Sequence, residues 1–365
     1  MFAIAGAQMG YHIHVYSPDN NTPAGEVAIR EFSAPYEDED ALIEFAKSVD
    51  VVTFEFENVP SAVSTAIGNH SRIRPSAFVL NISQNRLREK STLCDAGLPV
   101  PEFRPINSGE ELQLAVAELG TPCVVKTASS GYDGKGQAVI RSDSDCSSVW
   151  ESLNTNEAIL EQFVDFEREV SVVGARSPQG EFAVYRPFDN THQNHILDVT
   201  LCPASLDAQV ENHAIEIART VFETLDVIGV LCVEMFVTRT GDLLINELAP
   251  RPHNSGHLTI DAHKTSQFEQ QVRAICGLPL GSVDQLAPAA MVNLLGDLWD
   301  KGEPAWDRLC GKSAVNLHLY GKAAARPGRK MGHITTLADS TAAAADIALC
   351  ARHSLAETLP RENTD

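Results

Sequence analysis

The sequence predicts an α/β chain that opens with a parallel sheet and continues into an α+β region in its central part. Three observations carry this. Over the first sixty residues, apolar runs alternate with an amphipathic stretch, as βαβ units do. Further on, two apolar segments, VLCVEMFVT (Val230–Thr238) and DLLINELA (Asp242–Ala249), each carry a single carboxylate, Glu234 and Glu247. Between two other strand-like runs lies SSGYDGKGQ (Ser129–Gln137), with three glycines and a lysine.

Taken in order, Phe2–Met9 reads as a short helix and Tyr11–Tyr16 as a buried strand ended by a Ser-Pro-Asp-Asn-Asn turn. Glu26–Phe32 is a weaker strand. Asp38–Ser48 is an amphipathic helix with Leu42, Ile43 and Phe45 inward, and Val51–Phe56 is a strong strand. A domain of this kind normally begins with a strand and a Gly-rich turn before its first helix. Here the sequence begins inside the helix, so either the start is truncated or the domain is unusual. The missing strand belongs between His12–Tyr16 and Val51–Phe56. A gap or a direct pairing of those two strands is expected there.

Asn85–Ala96 reads as a helix ended by Gly97 and Pro99. Pro122–Ala128 is a strand carrying Lys126, and Ala138–Arg141 is a strand after the Gly-rich loop. Ala158–Phe163 and Arg168–Gly174 are strands with Glu161 and Glu169 embedded. Ala208–Thr224 is a clear amphipathic helix. Ala289–Leu295 and Ala314–Tyr320 are strands, Ala323–His333 a basic loop, and Ser340–Leu355 an Ala-rich helix.

Charge narrows the function. With 28 basic and 49 acidic residues the net charge is −21, which argues against nucleic-acid or membrane-surface partners, since both need a basic face. No apolar run reaches membrane-spanning length, and the N-terminus lacks a basic n-region and cleavage pattern. Eight scattered cysteines without metal-ligand spacing read as reduced thiols of a cytoplasmic protein.

The chemistry sits in a few places. Arg239, Thr240 and Gly241 form a turn, so the two carboxylate-bearing strands pair antiparallel and bring Glu234 and Glu247 to one end of a sheet, with Asn246 adjacent. That oxygen set suits Mg²⁺ shared with phosphates. The alternative is a hairpin with two surface glutamates, but its flanks are too apolar for a solvated face. The following PRPHNSGH run has the composition of a loop that handles an anion. Backbone N–H groups of the Gly-rich loop can fold over phosphates, and Lys135 adds a charge; alone, such a loop is as well read as a flexible turn. Lys126, among Val124, Val125 and Thr127, needs an anionic partner, either a phosphate or a structural glutamate. Glu161 and Glu169 taken singly read as structural ion-pair partners. Lys322, Arg326, Arg329 and Lys330 form a cationic patch that reads as a phosphate site or a solvated loop.

In that order, Lys126, GYDGKGQ, EQFV, Glu169, Glu234 and Asn246–Glu247 resemble an ATP-grasp enzyme, and thus imply the ATP-grasp fold. More closely, NRLREK, VVKT, GYDGKGQ, EQFV, NELAPRPHNSGH, TSQFEQ, GLPLG, NLLG, HLYGK and RPGRKMGHI resemble the 5-(carboxyamino)imidazole ribonucleotide synthetase family, from about Phe2 to Leu337. The resemblance implies that Arg86, Lys126, Gly131, Gly134, Lys135, Gly136, Gln137, Glu161, Gln162, Phe163, Val164, Glu169, His192, Asn246 and Glu247 hold ATP, and that Glu234 and Glu247 hold Mg²⁺, with Mn²⁺ as a substitute. It places Tyr132, Asp133, Lys135, Lys322, Arg329 and Lys330 on the aminoimidazole ribonucleotide, and Arg251 and His253 on bicarbonate or the carboxyphosphate made from it. Asp133 and Lys135 join Arg251 and His253 as the reacting set, with Asp133 a proton acceptor. Three units are implied: 1–80, a parallel-sheet domain without its usual first strand; 81–265, the ATP-grasp domain with a lid at about 100–165; and 266–365, which completes the substrate site. The assembly implied is a homodimer. Rival readings are another ATP-grasp acyl-phosphate ligase, such as a formate-dependent purine transformylase, and a catalytically impaired nucleotide-binding relative.

Overall fold

The structure, a computed structural model, describes residues 1–129, 131 and 134–356. Its first region has helix α1 (Phe2–Gln8), then β1 (His14–Ser17) and β2 (Arg30–Ser33), which pair in parallel. Helix α2 (Glu39–Lys47) follows, capped by Asp38, whose side chain accepts from the Ala41 N–H. Strand β3 (Val51–Val52) pairs in parallel with β4 (Arg72–Ile73), after helix α3 (Ser61–Gly68). The expected strand over Glu26–Phe32 is shorter: Gly25–Val27 is a 3₁₀ turn and only Arg30–Ser33 is extended. The expected strand Val51–Phe56 is likewise reduced to two residues. A strand segment with no partner on one side has no ladder to hold its backbone extended.

The gap foreseen from the sequence is present. The two parallel pairs form separate two-stranded sheets, and between them lies a cavity of about 1040 Å³. Consecutive residues of both strand edges, His12–Ser17 and Asp50–Phe56, line it. Apolar side chains close its faces: Phe2 of α1, Leu42 and Phe45 of α2, Val63 and Ile67 of α3, and Val272 and Ile275 from further along the chain.

Helices α4 (Ala77–Ser83) and α5 (Arg86–Asp95) lead out of this region. Asn85 caps α5, its side chain accepting from the Leu87 and Arg88 N–H groups. A small antiparallel sheet comes next, ordered β5-β8-β6-β7, from β5 (Phe103–Ile106), β6 (Cys123–Thr127), β7 (Gln137–Ile140) and β8 (Ala158–Gln162). Helices α6 (Gly109–Leu119) and α7 (Cys146–Leu153) cover it and share its core of Ile106, Leu112, Val125, Ile140 and Leu160.

The large sheet has nine strands. Its order is β14-β13-β9-β11-β12-β15-β17-β16, with β10 (Phe182–Val184) on the side of β9. The strands are β9 (Phe166–Arg176), β11 (Phe188–Gln193), β12 (Ile196–Cys202), β13 (Gly229–Thr238), β14 (Leu243–Ala249), β15 (Ala289–Leu295), β16 (Val315–Leu319) and β17 (Lys330–Leu337). Helix α8 (Ala208–Thr224) packs Ala214, Ile217, Val221 and Phe222 into the core beneath β9 and β13. After β14 come a 3₁₀ turn (Asn254–Leu258), α9 (Thr259–Ala262) and α10 (Gln267–Cys276). The short α11 (Asp307–Cys310) and the long α12 (Thr341–Ala356) cover the β15–β17 end. The expected basic loop 323–333 stops at Arg329, because the chain from Lys330 runs as β17 between β15 and β16, and Met331 to Thr336 are all buried there. No helix among the described residues is long and apolar enough to cross a membrane.

Candidate active site

The β13–β14 hairpin sets the first half of the site. Glu234 and Glu247 stand directly opposite each other in the antiparallel register. The register then shifts, so that Met235 faces Ile245 and Asn246 is the extra residue. A bulge of this kind breaks strict alternation and re-aims side chains next to the carboxylate pair. Opposed residues have Cβ atoms about 5 Å apart, so two carboxylates here repel unless a cation joins them. The Glu247 side chain reaches solvent, yet protein surrounds it on most sides. Burial and Glu234 push its carboxyl above the ordinary value, against the pull of Arg86, Lys126 and His253. Glu234 goes the other way: burial alone would raise it, but His253 and His192 hold it down at about 2. Two carboxylates with an adjoining amide fit a Mg²⁺ ion whose remaining ligands are phosphate oxygens. Among the described residues there is no group of three His, Cys, Asp or Glu side chains able to hold a metal by itself.

The small sheet supplies the second half. Lys126 on β6 and Glu161 on β8 form a 2.6 Å ion pair. Of the two partners open to Lys126 on sequence grounds, the glutamate is engaged here. On the other side of Glu161, 3.6 Å away, is Lys90 of α5, which is fully buried and donates to the main-chain oxygens of Ile245 and Asn246, each at 2.7 Å. Lys90 thus pins the strand bearing Glu247 to the small sheet. Its neighbour Glu89 accepts from the Leu248 N–H at 3.2 Å, and burial pushes its carboxyl up to about 8. Sequence reading missed both residues, although an adjacent acid and base on the helix NRLREK was the available signal.

Glu161 is held at about 2, since Lys90 and Lys126 outweigh a burial penalty that would raise it. A carboxyl depressed in the folded state stabilises the fold above its ordinary value of 4.5 and loses that contribution as pH falls toward 2. Each pH unit between those two values is worth about 1.4 kcal/mol, so the loss is roughly 3 kcal/mol. Glu161→Gln is expected to remove this acid dependence and to lower stability at pH 7, by stranding two lysines. Urea unfolding midpoints at pH 7 and pH 3 for both proteins check it. Equal pH dependence would exclude Glu161 as the source.

Arg86 closes the Gly-rich loop at its root, donating to the Thr127 oxygen (3.2 Å) and the Gly131 oxygen (3.0 Å). Gly134 has φ +76°, and a Cβ there would lie 2.5 Å from the His195 ring at the β11–β12 turn, so the loop rests on that hairpin only as glycine. Lys135 and Gln137 flank Gly136, Gln137 as the first residue of β7. Tyr132 and Asp133 lie outside the described residues. At the end of β8, its last residue Gln162 and the following Phe163 are exposed and Val164 is half-buried, next to the buried Glu161. Glu169 of β9 contacts His192 of β11, and His192 stands near Glu234.

The PRPHNSGH segment lies against the carboxylates. His253 Nε2 is 2.7 Å from Glu234 Oε1. Arg251 makes a two-pronged pair with Glu57, its Nη2 donating to Oε1 at 2.8 Å. Glu57, just beyond β3, was also missed from sequence; its signal was a third carboxylate at the end of an apolar run. Arg251 and His253 are therefore assembled with the Glu234–Glu247 pair, but the guanidinium already has a protein partner.

Lys322, Arg329 and Lys330 gather at one edge. Lys322 donates to the Lys330 oxygen at 2.7 Å, and burial with the two neighbouring cations lowers it to about 8. Arg329 is exposed and donates to the Ala324 oxygen at 2.8 Å. Lys330 is close enough to Glu234 to lower its carboxyl, which places the cationic patch beside the carboxylate pair.

Gripping a nucleotide between two sheets, one carrying lysines and a glycine loop and the other a pair of facing carboxylates, is the work of an ATP-grasp ligase. Residues 91–268 match the ATP-grasp domain model, 1–84 the ribonucleotide synthetase preATP-grasp domain, and 289–346 the phosphoribosylaminoimidazole carboxylase C-terminal domain. The chain is 42% identical to the N5-carboxyaminoimidazole ribonucleotide synthase of Bacillus subtilis over 92% of its own length and 87% of that protein's. It superposes on an ADP complex of N5-carboxyaminoimidazole ribonucleotide synthetase with TM-score 0.90 and 42% identity, covering 96% and 92% of the two chains. For the Aspergillus clavatus enzyme in complex with ADP and 5-aminoimidazole ribonucleotide, the TM-score is 0.89 at 27% identity, with 97% and 95% covered. The chain belongs to the N5-carboxyaminoimidazole ribonucleotide synthase family, and it is an ATP-dependent, carbon–nitrogen bond-forming enzyme.

Proposed function

We propose that this enzyme carboxylates the exocyclic amine of 5-aminoimidazole ribonucleotide, using ATP and bicarbonate, as a step of purine biosynthesis. The observation that carries the reading is that His253, Lys330 and, behind its pair with Glu57, Arg251 stand close to the Glu234–Glu247 pair. This puts anion-handling groups beside the place where phosphates bind. Arg86, Lys126 and the 131–137 loop hold the phosphates, while Glu161, Gln162, Phe163, Val164, Glu169 and His192 hold the nucleoside. Glu234 and Glu247, with Asn246 beside them, would hold Mg²⁺, which when bound screens phosphate charge.

Bicarbonate oxygen attacks the γ-phosphorus and ADP leaves, giving carboxyphosphate. Arg251 and His253 orient the bicarbonate. Carboxyphosphate hydrolyses readily, so the 100–165 lid, with its loop seated on the β11–β12 hairpin, excludes water. The amine then takes the carboxyl group and inorganic phosphate departs. Asp133 is the group assigned to receive the amine proton, with Tyr132 beside it and Lys135 on the ribonucleotide. We read 1–80, 81–265 and 266–365 as the working units, in line with the three family matches. The eight cysteines, all unpaired, accord with work in the cytoplasm.

The deciding assay measures ATP turnover with the ribonucleotide, supplied with bicarbonate or with formate. Turnover only with bicarbonate is expected. Turnover with formate would move the enzyme to the transformylase reading, and none with either would leave an impaired relative. Within the same assay, Arg329→Ala is expected to raise KM for the ribonucleotide about tenfold or more, the loss of one charge-assisted phosphate contact, and to leave KM for ATP within about twofold. Equal shifts in the two would return Arg329 to a solvated loop.

A further inference from the structure

Lys322 takes its place from an aromatic neighbour. Its Nζ donates to the Lys330 oxygen at 2.7 Å and lies 5.4 Å from the centre of the Tyr320 ring, within cation–π range. Gly321, between them, has φ +71° and lets the chain double back, so that Lys322 comes over the ring two residues before it. Burial, Arg329 and Lys330 all work against the Lys322 charge. The Tyr320 ring works for it, so where that ring stands decides where the ammonium is held.

The ring is anchored at its far end. The Tyr320 hydroxyl is 2.9 Å from His333 Nδ1, and the Asn254 side chain stands close enough to that hydroxyl to act on its acidity. His333 is wholly buried, and burial with the neighbouring His318 pushes its imidazole well below the ordinary value. A neutral ring therefore meets the hydroxyl, and one hydrogen is shared between them. His318 stacks on His333 with 4.5 Å between ring centres, and its Nε2 is 2.8 Å from Asp261 Oδ2 of α9. Asn254 is fixed in turn. It exchanges two amide hydrogen bonds with the buried Asn293, at 2.6 and 3.2 Å, and Asn293 Nδ2 also donates to the Leu197 oxygen at 2.7 Å. The register aligns these groups: His333 of β17 opposes Asn293 of β15 on one side and His318 of β16 on the other. Apolar side chains would fill such a row without the cost of desolvating imidazole and amide groups. Asn254 directly follows His253, so the row joins the segment that carries Arg251 and His253 to the turn that carries Lys322.

We propose that Tyr320 is a positioning residue for the ribonucleotide: anchored through its hydroxyl to His333 and Asn254, it holds Lys322 in a fixed place relative to the loop that carries His253. This rests on the reading of Lys322 as a ribonucleotide contact. The amine of that substrate must meet a carboxyl group prepared on the bicarbonate side, so a rigid link between the two sides keeps the reacting groups in reach of each other.

The test is a double-mutant cycle on the full chain. With ATP and bicarbonate saturating, kcat/KM for the ribonucleotide is measured for the wild type, Tyr320→Phe, Lys322→Met and the two combined. Tyr320→Phe keeps the ring and removes its anchor. Alone it should lower kcat/KM about fivefold, the net worth of one hydrogen bond. On top of Lys322→Met it should cost less than about twofold, because no ammonium is left to misplace. A merely structural role would multiply the two losses. In the free protein, acetic anhydride at pH 7 should acetylate Lys322 several-fold faster in Tyr320→Phe than in the wild type, read by peptide mass spectrometry, since the side chain is no longer held. Should Tyr320→Phe fail to fold, His333→Phe removes the same anchor from the other side and takes its place in both measurements. Losses that multiply, or acetylation that does not change, would overturn the proposal. Because the labelling needs no substrate, faster acetylation in a chain whose wild type shows no ribonucleotide-dependent turnover would fault the function and leave the positioning intact.

Discussion

Glu247→Gln should lower kcat on the order of 10²–10³-fold while leaving the melting temperature unchanged or slightly higher. The two halves of this expectation have one cause. Glu247 faces Glu234 across the β13–β14 register, and their repulsion already pushes its carboxyl upward. Neutralising it therefore relieves the free protein. With nucleotide the same charge is needed, because the pair must offset phosphate charge through a shared cation, and an amide oxygen is a much weaker partner. Steady-state turnover over a range of Mg²⁺ concentrations, together with a thermal melt, separates the two effects. A Glu247→Gln enzyme that stays active with unchanged Mg²⁺ dependence would remove the carboxylate pair from the phosphate site.

The second large effect concerns the slot between β1 and β3. It has backbone edges on two sides and apolar helix faces on the other two, which is the surrounding of a central strand in a parallel sheet. Extending the N-terminus by an apolar strand and a Gly-rich turn should fill it. Each buried backbone group so satisfied contributes about 1 kcal/mol, and apolar burial adds more, so a gain of several kcal/mol is expected. For a domain of this size that is on the order of 10 °C in melting temperature. Activity should rise with it, since Glu57, which holds Arg251, stands just beyond β3. Calorimetry and turnover on the 365-residue chain and its extension would show this. An extension that protease removes without loss, or a 365-residue chain already stable and fully active, would mean that the slot needs no strand.

Much of the site was legible before any coordinates. The glutamates on two apolar strands, the glycine-rich loop and Lys126 stand out because each breaks a local rule: a charge in an apolar strand, or backbone freedom between two strands. The turn at Arg239–Gly241 made their meeting a short-range matter, and the observed register of Glu234 on Glu247 follows from it. The gap in the first sheet was also visible, as a missing element in an otherwise regular alternation.

Other features were decided by tertiary contacts. Lys90, Glu89 and Glu57 are ordinary charged residues in the sequence; only the packing of α5 on β14, and of the β3 exit on PRPHNSGH, gives them buried partners. The first half of strand β17, Lys330–His333, read as the end of a basic loop, because its lysine and histidine look solvated until β15 and β16 enclose them. Buried hydrogen bonds run from Thr200 to Asn190, on to Ser171 and to Ser255, joining residues from four separate segments, and nothing in their spacing announces it. Sequence alone thus determined which chemical groups this protein carries and which of them are near neighbours along the chain. Which groups share a proton, a charge or a cavity was decided by the pairing of distant strands, because burial and low dielectric act through space and not along the sequence.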